Sequence, residues 1–529
     1  MKRKRYLLPF LSQRRLTILD LQYKNKTILL MMKKNFFLLN FCLMTCFAAA
    51  EYANSYAVIV SKETYKTPAW KKVVQTLQKK HQAQVITFDK EPEEALAGLR
   101  ATFPKYTCFV MKPEETGREV VVRLHQMIRK LDSDIYADTI HGIITGYTPE
   151  DALRIAAATK PRVASTAVIS AGVGAARFKE AGYLSTGNKG EYGYKAPNKP
   201  VVKKQFEGTD MTSIFIDYLE RIDPDIIITS AHASQYGLEM PFSMGNVICK
   251  DGKVFGKLTK GKRMIGADGQ ALKKKVEGKL IPIKEPKRPK VYFSPGNCLI
   301  GDIPKRECMA LAWMGWGKAN QYIGYTTTTW YGKVGWGAVS YWENMAGKAP
   351  LNESLFFSKQ SLLYKLNTYF PKTANILIDP KLEPDTKLIR EEIVKRSVEA
   401  NHDMFNNVGM IWDRDAVAFY GDPALRIVHD INNTVPAKCS VKLSKTKNNS
   451  YKFTITAETD LPTPTKNTTP IAAFFPQRLE NIKVVKGAEF KPVITDNFIM
   501  VTAYGPLKAG EICEVVFIAQ PIKKKIKHQ

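Results

Sequence analysis

The sequence predicts an α/β chain that ends in an all-β module. From Ser55 to about residue 430, short β-forming apolar runs alternate with helical patterns, which implies βαβ units and a mostly parallel sheet. From about Ala437 helical periodicity stops, and short alternating strands with polar turns take over, the pattern of a β-sandwich. With 44% hydrophobic and 24% charged residues, the 529-residue chain is globular and long enough for two or three cores.

The N-terminal segment reads as a leader. "MKKNFFLLNFCLMTCFAAAEYANS", Met32 to Ser55, has two lysines, an apolar run and then small residues, the three parts of a secretory signal. Met32 is therefore the expected start and Glu51 the expected first residue of the mature protein. The apolar run Phe36 to Ala50 is short for a membrane span, so the expected destination is secretion or the cell envelope, with no transmembrane segment after signal removal. "LMTC", ending at Cys46, keeps a lipoprotein-like alternative open.

Residues 1–50 contain ten Lys/Arg and one Asp, so about +9 of the net +29 belongs to the leader. The remainder is spread through Lys-rich loops and a basic tail, residues 522–529. No aromatic-interleaved basic motif accompanies it, and no nucleic-acid partner is expected.

An N-terminal α/β subdomain, residues 51–205, follows. "YAVIV", "AQVITF", "YTCFVM" and "HGIITG" read as strands. "TPAWKKVVQTLQKKH", "EPEEALAGLRATF" and "GREVVVRLHQMIRKL" read as helices, with Pro68 and the acids at Glu91 to Glu94 where helix starts favour them. The Gly/Lys/Pro-rich "STGNKGEYGYKAPNKP" reads as the linker that closes it. A second α/β subdomain, residues 206–434, begins with the amphipathic "MTSIFIDYLERI". Its strands are Asp225 to Ser230, the Lys-Asp-Gly hairpin of "GNVICKDGKVFGKL", Val291 to Ser294 and "NQYIGYTTTTW". Helical patterns cover "KRECMALAWMGWGKA", Glu353 to Tyr369 and Asp385 to Asn406, before the strand in "DAVAFYGDPALRI". The sandwich occupies residues 435–521.

Two strands end on residues that carry chemistry. "DIIITSAHA" runs into His232 and "KVYFSPGNC" into Cys298. At the carboxyl edge of a parallel sheet, where functional groups collect, neighbouring strands would bring both to one rim. A thiol beside an imidazole is the better nucleophile, and the same imidazole can later protonate a leaving amine. Backbone N–H groups of Ala233 and Cys298 are candidates for an oxyanion site. His141, in "IHGIITG", competes for the role of base. His125 reads as a helix residue with a packing or surface role, Cys308 as core, and most of the tryptophans as packing.

The chain resembles the gingipain-type peptidases of the caspase-like group. The resemblance rests on "IIITSAHA", on "VYFSPGNCLIGD", on the helix "CMALAWMGWGKA", on "YIGYTTTTWYG" and on "FYGDPALRI", and is most specific over residues 225–430. It implies a caspase-like mostly parallel sheet in two subdomains, followed by an immunoglobulin-like sandwich. It further implies an exported cysteine endopeptidase that acts through a thioester acyl-enzyme, with His232 as general base and acid and Cys298 as nucleophile. Asn297, Thr329 and Trp330 are expected to bind a peptide or protein substrate. The chain departs from the family at Ala233, where glycine is usual. No acidic residue aligns to orient the imidazole or to select a basic side chain, so Arg or Lys specificity is not carried over. The alternative is a non-catalytic surface binding protein on the same fold. No cofactor or catalytic metal is expected, and a structural calcium is left open.

Without the leader six cysteines remain. Export permits disulfides, and Cys439 and Cys513, in the first and last strands of the sandwich, are the expected pair.

Overall fold

A computed structural model describes residues 55–159, 162–266, 276–329, 331–382, 387–430, 436–446, 448–465 and 468–522. The segment expected as a leader, Trp330 and the last seven residues lie outside them.

Twelve strands form one sheet: β1 (Tyr56–Ser61), β2 (Gln84–Phe88), β3 (Tyr106–Val110), β4 (Ile140–Ile144), β5 (Thr166–Ser170), β6 (Glu180–Leu184), β7 (Glu191–Lys195), β8 (Val201–Gln205), β9 (Ile226–Thr229), β10 (Lys290–Phe293), β11 (Ala319–Tyr325) and β12 (Val417–Gly421). Their order is β2-β1-β3-β4-β12-β11-β10-β9-β5-β6-β7-β8. Neighbours are parallel except at β11/β12, β6/β7 and β7/β8. Helices pack on the sheet, so its central strands are buried on both faces. Ile227 and Tyr292 enter one core, while Ile226, Ile228, Val291 and Phe293 enter the other. That two-sided burial is why these strands read as continuous apolar runs rather than alternating ones.

The sheet crosses the boundary expected near residue 205. Strands β1 to β4 lie at one end and β5 to β8 at the other, with β9 to β12 between them. The segment expected as a linker also folds: it supplies β7 and joins it to β8 as an antiparallel edge. Tyr192 and Tyr194 alternate with Gly193, where a Cβ would meet Tyr183 at 2.4 Å. The segment expected as one helix over Asp385 to Asn406 is two, Lys387–Glu399 and Met404–Asp413. Asn401 takes a positive φ at the break, and Asp403 caps the second helix by accepting the Asn406 N–H at 3.2 Å.

"GDP", at the end of β12, ties the sheet to a helix. The buried Asp422 accepts the Tyr56 hydroxyl at 2.9 Å, Lys80 at 2.6 Å and His81 Nε2 at 2.8 Å, the last two both coming from the helix Pro68–His81. Burial raises its pKa, but the His81 bond and the Lys80 charge outweigh burial and hold it at about 2.

The C-terminal strands make two antiparallel sheets. One contains Cys439–Lys445, Ser450–Ala457, Ile512–Pro521 and Leu479–Lys486; the other contains Ile471–Phe474, Phe498–Val501 and Pro492–Ile494. The expected Cys439–Cys513 bridge is absent. Ser450–Ala457 lies between the two strands, with Ala457 opposite Cys439 and Ile455 opposite Cys513. Two strand spacings, roughly 9.6 Å, exceed the reach of a disulfide. Among the described residues, no helix is long and apolar enough to cross a membrane.

Candidate active site

β9 and β10 are direct neighbours and parallel, with Ile226 opposite Val291 and Ile228 opposite Phe293. Both chains leave the sheet at the same edge, so the turns that carry His232 and Cys298 rise side by side.

After β9, His232 stands at the foot of a hairpin formed by Ala233–Ser234 and Gly237–Glu239. Its carbonyl accepts the Glu239 N–H at 2.8 Å. In an antiparallel ladder this makes Ala233/Leu238 a non-hydrogen-bonded pair, so the Ala233 N–H turns away from its partner strand. Ala233 lies in extended backbone, where alanine needs none of the freedom that glycine has.

After β10 the chain turns through Ser294-Pro295-Gly296-Asn297. The Ser294 hydroxyl accepts the Asn297 N–H at 3.0 Å and donates to Asn297 Oδ1 at 2.8 Å. The same Oδ1 accepts the Thr229 hydroxyl at 2.6 Å, and Nδ2 donates to the carbonyl of Ala231 at 2.8 Å. Asn297 therefore fastens the residue before Cys298 to the residue before His232. Gly296 suits this approach, since a Cβ there would lie 2.6 Å from Ser230 Oγ and force that side chain to turn away. Farther along, Asp302 accepts Gln235 Nε2 at 3.3 Å and the Arg118 N–H at 2.9 Å, a second tie between the cysteine loop and the hairpin.

Thr329, beyond β11, closes the site from the third side. Its N–H donates to Cys298 Sγ at 3.2 Å, and its hydroxyl donates to the Asn297 carbonyl at 3.3 Å. A backbone N–H at this distance favours negative charge on the sulfur. Cys298 is only 5% exposed, more enclosed than the open rim position expected for it. His232 is half-buried.

Asn297, expected to touch substrate, has a side chain that is 0% exposed and spent on the frame between the loops. Its role is positioning. Trp330 lies outside the described residues. His141 is on β4, three strand spacings or roughly 14 Å from β10. It packs edge-to-face on His125, whose Nε2 is 2.9 Å from the Val417 carbonyl, and burial drives the pKa of both imidazoles down, that of His125 to about 3. Burial likewise pushes the thiols of Cys439, Cys308 and Cys513 up to about 11, 12 and 12, and those of Cys108 and Cys249 higher. These five are inert core thiols at neutral pH.

Sequence reasoning missed the framing role of Asn297. Its one signal was an amide flanked by "SPG" at a strand end, which is also the signature of any polar turn. It missed Lys365 altogether. That residue, on the helix Leu351–Tyr369, lines a cavity of about 230 Å³ beside Tyr331, Lys333 and Trp336.

No family model matches the chain, and no curated protein does. Among solved structures it is similar to a complex of Porphyromonas gingivalis RgpB pro- and mature domains, with 10% identity over 87% of this chain and 99% of that one, at a TM-score of 0.32. A superposition this loose carries no weight for activity. The geometry of the two loops has to stand by itself.

Proposed function

We propose that the chain is an exported cysteine endopeptidase of gingipain type, with Cys298 as nucleophile and His232 as general base and acid. One observation carries the reading: two neighbouring parallel strands end in a histidine loop and a cysteine loop that Asn297 locks together. In this mechanism Sγ attacks the scissile carbonyl carbon while the imidazole takes the thiol proton. The oxyanion is held by the N–H groups of Ala233 and Cys298. The C–N bond breaks as the imidazolium protonates the leaving amine, and water, deprotonated by the same imidazole, hydrolyses the thioester to release the acid and restore the thiol. Thr329 and Trp330 flank the substrate, the sandwich is an immunoglobulin-like support, and the leader directs the chain to the cell envelope or beyond.

The enclosure of Cys298 favours the second reading, a non-catalytic binding protein on the same fold. A peptidyl thiol-reactive probe separates them. Labelling at Cys298 that depends on His232, together with peptide cleavage lost in Cys298→Ala, is the enzymatic outcome. Unlabelled Cys298 in a protein that still binds peptide rejects it.

A further inference from the structure

The cavity beside the cysteine loop has a chemistry of its own. Its near wall is the start of the helix Lys333–Asn344, which packs directly on that loop. A Cβ at Gly332 would lie 3.1 Å from the Pro295 carbonyl, and one at Gly296 would lie 3.2 Å from Trp336 Nε1. Its far wall is the helix Leu351–Tyr369, which contributes Ser361 and Lys365. Two residues that line the cavity, Gly332 and Trp336, thus abut Pro295 and Gly296, which precede Cys298.

Among the described residues, two lysines and several hydroxyls line it, and no carboxylate does. Lys333 donates to Asn406 Oδ1 at 2.8 Å. Asp413, buried in the core, accepts the Tyr325 hydroxyl at 3.0 Å and the Val334 N–H at 3.1 Å, and it also interacts electrostatically with Lys333. Lys365 has no acidic partner among the described residues. Burial, reinforced by Lys333, lowers its pKa to about 8. A half-buried lysine without a counter-ion costs stability, and a cavity that keeps one is built to receive negative charge from elsewhere. Beyond the expected leader the chain keeps a net charge of about +20, which draws acidic partners toward it.

Resting on the peptidase reading, we propose that this cavity is the specificity pocket for an acidic side chain, so that the substrate is cut after aspartate or glutamate. Lys365 supplies the charge at its base, and Ser361 and Ser340 supply hydroxyls along its walls.

The test compares peptides that differ only in the residue before the scissile bond, Glu, Gln or Lys, on the wild type, Lys365→Met and Lys365→Glu. Expected is a preference for Glu over Gln in kcat/KM of about 100-fold or more, because a charged site left unpaired rejects the neutral isostere. The preference should shrink to within a few-fold in Lys365→Met and reverse toward Lys in Lys365→Glu. In parallel, the wild type and Lys365→Met are titrated with N-acetyl-glutamate amide while melting temperature is followed. Expected is a rise in the wild type that Lys365→Met lacks. Cleavage without acidic preference, or a preference that survives Lys365→Met, overturns the pocket and leaves Cys298 and His232 standing. Binding that depends on Lys365 without cleavage of any peptide upholds the pocket and overturns the peptidase. A titration identical in the two proteins overturns the pocket whether or not peptides are cut.

Discussion

Replacing Asn297 by Ala removes the joint between the two loops, and the structure sets the size of the effect. Three side-chain hydrogen bonds disappear, to Ala231, Thr229 and Ser294. At roughly 1 kcal/mol net each, the loss is about 3 kcal/mol. Desolvation adds little, because Thr229 keeps the Tyr292 hydroxyl at 2.7 Å and Ser294 keeps the backbone N–H of residue 297. The cost falls on the loops rather than on global unfolding, since β9 and β10 stay packed between two cores. Amide hydrogen exchange over residues 226–240 and 290–302 reads it directly. An opening easier by about 3 kcal/mol raises exchange there by roughly 150-fold, while exchange in β1 and β3 stays as in the wild type. Peptide cleavage should drop by about 100-fold or more, because a misplacement near 1 Å between nucleophile and base costs that much. Asn297→Asp keeps an acceptor for both hydroxyls but sets an oxygen against the Ala231 carbonyl, so it should behave no better than Ala. Exchange within about 3-fold of wild type in Asn297→Ala, or full activity in Asn297→Asp, refutes the framing role.

Cys298→Ala should abolish cleavage with little change in melting temperature, and His232→Ala should also slow alkylation of Cys298, as kinetics of iodoacetamide labelling will show. Asp422→Asn breaks a buried ion pair and should cost about 3–5 kcal/mol, read as a lowered melting temperature. The Asp422 pKa is depressed in the fold, so its stabilisation is complete above the unfolded value near 3.9 and is lost as pH falls toward about 2; the variant should show no such loss in that window. Asp138 is the opposite case. Burial lifts it to about 8 against the pull of Arg478, so the native state holds a proton that the unfolded chain gives up, and stability falls as pH rises from about 4 to 8. Melting curves across that range should find Asp138→Asn the more stable protein at pH 8, with the difference gone near pH 4.

What local patterning encodes was legible. β9 and β10 announced themselves as apolar β-branched and aromatic runs that break at small residues, and His232 and Cys298 followed at their ends because a strand entering a turn leaves that mark in the sequence itself. The Lys-Asp-Gly hairpin appeared as Asn246–Lys250 and Lys253–Leu258, with Asp251 and Gly252 at positive φ, and the alternation of Ser450–Ala457 marked a half-buried strand. Tertiary structure alone decided which strands are neighbours. The order that sends β5 to β8 past β9, and the strand that separates Cys439 from Cys513, depend on pairing between segments far apart in the chain. The same holds for Asn297 and Lys365. One is buried because Thr229 and Ala231 arrive from another strand, and the other faces a cavity because a second helix closes over it. A side chain's type and its neighbours in sequence state what it can bond; only the packing of distant segments states what it meets.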